Sequence, residues 1–95
     1  MKWYKCSIAG ENFPGELINE DKDIGFFTTR FVKADTAEDA ELAALTILKE
    51  DKNMALPDGV LPTEKAKVYF EEIIEVSKED VPDIEAGFAF YAMDT

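Results

Sequence analysis

Arg30 is the only arginine in the chain, and it stands mid-strand with Thr28 and Thr29 before it and Phe31 after it. A charge in such a position is costly unless it is paired. Two chemistries follow from it. If the strand carrying Arg30 lies beside the one carrying Glu72, the two form a buried ion pair, since Glu72 interrupts an apolar strand in the same way. Alternatively the guanidinium receives the anionic group of a small ligand or of a partner, with the Thr28 and Thr29 hydroxyls assisting. No glycine-rich phosphate loop accompanies it.

Glu71, Glu72 and Glu75 form a carboxylate cluster. Paired carboxylates can divide acid and base roles when their environments separate their pKa values. Strand alternation sets 71 and 75 on one face and 72 on the other, so they do not converge, and a solvated strand is the simpler account. Cys6 alternates with Tyr4 and Ile8 on a packed face, where an inert thiol is the default. The acidic runs Glu20-Asp21-Lys22-Asp23 and Glu79-Asp80, with Asp83 and Glu85, lack the spacing of a helix-loop-helix calcium site. No metal ligand set, cofactor motif or catalytic residue stands out. The reading leans away from an enzyme.

Composition narrows the classes further. The 95 residues hold 10 Lys and Arg against 21 Asp and Glu, a net charge of −11, with no His and one Cys. That excludes a disulfide framework, a Cys/His zinc site, a His-based triad and the basic footprint of a nucleic-acid binder. An unpartnered Cys fits a reducing cytoplasm. No apolar run approaches a membrane span, and no signal-type apolar region opens the chain.

The elements that must position these residues make one domain over residues 1–95. Residues 2–9 alternate as a strand, followed by the turn-rich Gly10 to Gly15. The run 24–34 is dense in aromatic and β-branched types and is the strongest strand signal. Asp35 or Thr36 caps a helix that ends near Glu50, with Ala37, Ala40, Ala43, Ala44, Ile47 and Leu48 on one face. A loop punctuated by Pro57, Asp58-Gly59 and Pro62 leads to strands over 67–76 and 87–93. In the third strand, Val68, Phe70, Ile74 and Val76 are expected on one face. The order β-β-α-β-β predicts an α+β fold, a four-stranded mixed sheet with one helix on one face. Its second and third strands run parallel, joined right-handedly across the helix, and the outer pairs are most simply hairpins, while strand order is not readable from the sequence.

The segment Gly25-Phe26-Phe27-Thr28-Thr29-Arg30-Phe31-Val32-Lys33-Ala34, with Gly10-Glu11-Asn12-Phe13 before it and the alanine-rich helix after it, resembles a small uncharacterised family of bacterial proteins. The likeness spans about residues 2 to 50 and the Gly87-Phe88-Ala89-Phe90-Tyr91 ending. It implies a bacterial origin and an α+β domain, and transfers no functional residue.

One helix covers one sheet face, yet large apolar groups alternate onto both. Phe27, Phe31, Tyr69 and Tyr91 are therefore the candidate interface, covered by a second copy, by the long loops or by a partner. The expected function is an acidic, non-enzymatic protein-interaction module, homodimeric through the second face and steered toward basic partners. A binder or weak enzyme for an anionic ligand held by Arg30 is the alternative. Neither nucleic acid nor membrane is an expected partner.

Overall fold

The computed structural model describes residues 1–60, 64–84 and 87–93; Pro62 and Glu85, singled out above, lie outside them. Among the described residues four strands form one sheet: β1 (Lys2–Phe13), β2 (Ile24–Ala34), β3 (Lys67–Val76) and β4 (Phe88–Ala92). One helix, α1 (Ala37–Glu50), packs on it. Three short 3-10 turns, at Gly15–Ile18, Lys52–Met54 and Lys78–Asp80, interrupt the simple element order expected.

The architecture is α+β, but the sheet is not mixed. Its strand order is β3-β1-β2-β4, and every neighbouring pair is antiparallel. β2 and β3 run in the same direction, as a strand-helix-strand crossover requires, but β1 lies between them and pairs with both. The expected parallel pair is thus replaced by a crossover that skips one strand. The expected hairpin of β3 with β4 is absent as well, because they form the two opposite edges.

Two irregularities shape β1 and β3. β1 runs on past residue 9, because Gly10 to Phe13 is a bulge in the ladder rather than a turn out of it. Asn12 takes the left-handed conformation there, with φ 59. The second bulge lies where Ser7 and Ile8 of β1 face Glu72 and Phe70 of β3. The extra residue shifts the side-chain phase by one. Val68, Phe70 and Ile73 consequently point to the helix side, whereas Ile74 and Val76 point outward, which corrects the single apolar face expected for β3.

The core lies between the sheet and α1. Thr36 caps the helix, its hydroxyl accepting the Asp39 amide at 3.1 Å. Ala40, Ala44 and Leu48 are buried on the sheet, and the small side chains let the helix lie close. Ala37 and Ile47 are instead exposed. Phe26 is fully buried at the centre, edge-on to Phe13, Phe88 and Phe90 at 5.2, 5.4 and 6.2 Å between centroids. Its ring lies over Gly10, where a Cβ would sit 2.0 Å from a ring carbon. Tyr91 covers Gly25 in the same way on the other face. Two glycines thus make room for aromatic rings on opposite sides of one sheet. Among the described residues no helix is long and apolar enough to cross a membrane.

Candidate functional site

Arg30 points to the helix side of β2 and is buried, with its guanidinium tied to Asp51, Thr28 and Thr29 among the described residues. Nη2 donates to Asp51 Oδ2 at 3.0 Å, and Nη1 donates to Thr28 Oγ1 at 2.7 Å and to the Thr29 carbonyl at 3.0 Å. The guanidinium also lies 5.0 Å from the centre of the Phe88 ring, an attractive arrangement for a cation. The Thr28 hydroxyl in turn donates to the Gly87 carbonyl at 2.9 Å, linking β2 to the start of β4. Partial burial pushes the Asp51 carboxyl upward. The Asn53 amide, the Arg30 guanidinium and the Asn53 side chain outweigh it, and the net effect holds the carboxyl below its usual range.

The ion pair expected with Glu72 is therefore made with Asp51. Glu72 stands across β1, opposite Ser7 on the outer face, whereas Arg30 stands opposite Cys6 on the helix side. The cavity that Arg30 and Thr29 share with Trp3, Phe31 and Ile47 holds about 150 Å³. Small-ligand sites occupy roughly 300–1,000 Å³. A neutralised guanidinium beside so small a space fits a strut between β2 and the end of α1 better than an anion receptor.

The interface candidates share one face. Phe27, Tyr69 and Tyr91 are exposed on the sheet face opposite α1, and Phe31 is half-buried two outer positions further along β2 from Phe27. Phe27 and Tyr91 stack at 5.5 Å, and Lys33 sits over Trp3 at 5.1 Å. Beside the Phe27 ridge lies a shallow hollow of about 460 Å³, floored by Ser7 and Thr29 and flanked by Glu71 and Ala89. The charges on this face balance. Lys5, Lys33 and Lys67 share it with Glu11, Glu71 and Glu72, so the −11 of the chain resides elsewhere. Much of it lies on and around α1, where Asp35, Glu38, Asp39, Glu41 and Glu50 face a single Lys49.

Glu71 and Glu72 meet at the β3 bulge and Glu75 lies further along the edge, where it pairs with Lys2 at 3.8 Å. No group of three or more His, Cys, Asp or Glu among the described residues could hold a metal ion. Cys6 is wholly buried, and burial followed by the charge of Glu41 pushes its thiol upward. Its reaction with a disulfide reagent should accordingly be at least about a thousandfold slower in the native protein than in denaturant. A comparable native rate, read by absorbance of the released thiolate, would mean that the face bearing Cys6 is open to solvent.

Two features escaped the sequence. Asp51 was not apparent as the partner of Arg30, although an Asp closing the helix and preceding Lys-Asn is a cap signal: it accepts the Asn53 amide at 2.8 Å. The other is a second hollow, of about 420 Å³, beneath the C-terminal half of α1. Met54 and Leu56 wall it, and apolar residues in an otherwise polar loop were its trace in the sequence. Comparison with known proteins returns no match of any kind, whether family model, curated protein or solved structure.

Proposed function

We propose that the chain is an acidic, non-enzymatic protein-interaction module that pairs with a second copy through the outer sheet face. The observation that carries this reading is the charge balance of that face. A chain of net charge −11 repels its own copies, but three lysines and three glutamates lie among the exposed aromatics there. In a two-fold arrangement the lysines of one copy meet the glutamates of the other, while the Phe27 ridge enters the neighbouring hollow. Three strands of roughly 33 Å and the five-residue β4 of roughly 17 Å, at ~4.8 Å spacing, offer about 550 Å² a side, near the lower end of specific interfaces. Pairing leaves both α1 surfaces outermost, and their carboxylates steer the dimer toward basic protein partners.

Light scattering tests this directly. The expected mass is twice the 10.7 kDa of the chain, held more firmly as salt screens the net repulsion. Phe27→Glu places a carboxylate on the ridge and should return the protein to the single-chain mass without lowering its melting temperature at high dilution. A single-chain mass at several hundred micromolar, or a dimer indifferent to Phe27→Glu, would refute the reading.

A further inference from the structure

The cleft beneath α1 is separate from the outer face and has a different character. Leu45 and Leu48 of the helix, Met54 and Leu56 of the following loop, and Phe13 and Val68 of the sheet line its interior. On a chain with 21 acidic residues in 95, none of the described residues lining it is a carboxylate. Its charged member is Lys49, whose side chain makes no ion pair or hydrogen bond with any described residue. A volume of about 420 Å³ falls within the range of small-ligand sites.

We propose that this cleft binds a small monocarboxylate with an apolar body of about ten carbons. The hydrocarbon lies against the leucines and Met54, and the carboxylate meets Lys49 Nζ at the mouth. One lysine answers one negative charge. A dianion would leave a surplus charge facing the strongly acidic surroundings of α1, and a neutral ligand would gain nothing from the lysine. The charge of Lys49 also favours the C-terminal end of the helix, so the test must separate that role from ligand binding.

Hexanoate, octanoate and decanoate, titrated calorimetrically below their micelle-forming concentrations, should bind one per chain. Affinity should rise about three- to fourfold for each added methylene until the cleft is full. Lys49→Gln should weaken decanoate about three- to fivefold and leave decanol unchanged, because the contact lies at the surface. If Lys49 serves only the helix end, the substitution moves the melting temperature and leaves the preference for decanoate over decanol intact, which overturns the assignment. Methyl chemical shifts of the unaltered protein decide the location even where Lys49→Gln folds poorly. Perturbation of Leu45, Leu48, Met54 and Val68 supports the site. Absence of saturable binding at millimolar ligand, or shifts confined to residues around Phe27 and Tyr91, overturns it. The dimer experiment reads neither outcome, so the two proposals stand or fall separately.

Discussion

Phe26→Ala should destabilise the protein by about 3–5 kcal/mol, the upper range for truncating a buried aromatic. The ring is fully buried, touches three other phenylalanines edge-on and fills the space that Gly10 leaves open. No neighbour can move into the vacancy cheaply, since Gly10 has no side chain and the backbone on both sides is fixed by ladder pairing. For a domain of this size each kcal/mol is about 4–8 °C in melting temperature, so a loss of at least ~12 °C is expected. Phe27→Ala, one residue away on the outer face, should cost less than about 1 kcal/mol in the dissociated chain. Urea denaturation at low protein concentration measures both. Equal costs at the two positions would show that α1 does not cover the face to which Phe26 points.

That contrast between adjacent phenylalanines was legible in the sequence, because β2 alternates without interruption from Ile24 to Ala34. The helix was equally plain, since Thr36 is a strong cap and its alanines recur at helical spacing. What was hidden depends on backbone events that leave composition unchanged. A bulge costs one residue, and nothing in Phe70-Glu71-Glu72-Ile73 announces that the phase slips there. The Gly10–Gly15 stretch has turn composition, but Gly10 is needed for the close approach of Phe26 and Asn12 for the positive φ of a bulge. Strand order was hidden for a different reason. A crossover through α1 is long enough to land beside β2 or one strand further on, and local patterning does not distinguish the two.

The candidate site divides along the same line. The four candidate aromatics follow from alternation alone and lie on the face where alternation put them. Charge balance on that face was not visible, because it depends on which strands are neighbours. Arg30 announced itself as a buried charge in need of a partner, but pairing it required knowing what crosses above β2. Glu72 was the nearest candidate by strand logic, and the antiparallel insertion of β1 removed it from reach. Asp51 comes from the one direction strand logic omits, the end of the helix that packs over the sheet.

The Arg30–Asp51 pair should show an unequal response to removing its two members. Arg30 is deeply buried, whereas Asp51 sits closer to solvent, with side-chain exposures of 6% and 15%. Asp51→Ala leaves a buried cation without this carboxylate and also uncaps the turn at Lys52–Met54, so a cost of about 2–4 kcal/mol is expected. Arg30→Met keeps the buried volume apolar and leaves a carboxylate that water and Asn53 can still solvate, so it should cost less. The double variant should cost less than the two single losses together, as expected for groups in direct contact. Acid sharpens the test. Because the folded-state pKa of Asp51 is lowered, its stabilisation is fully present above the ordinary carboxyl value near ~3.9 and is lost as pH falls through the folded value. The stability gap between the native chain and Asp51→Asn should hold constant from about pH 7 to pH 5 and narrow below pH ~4. Asparagine can still accept from the Asn53 amide, so the comparison leaves the cap in place, and a gap that persists unchanged to pH ~2 would show that the stabilisation does not come from the charge. A narrowing gap places the stabilisation in the ion pair, which then acts as the strut holding the end of α1 over the sheet.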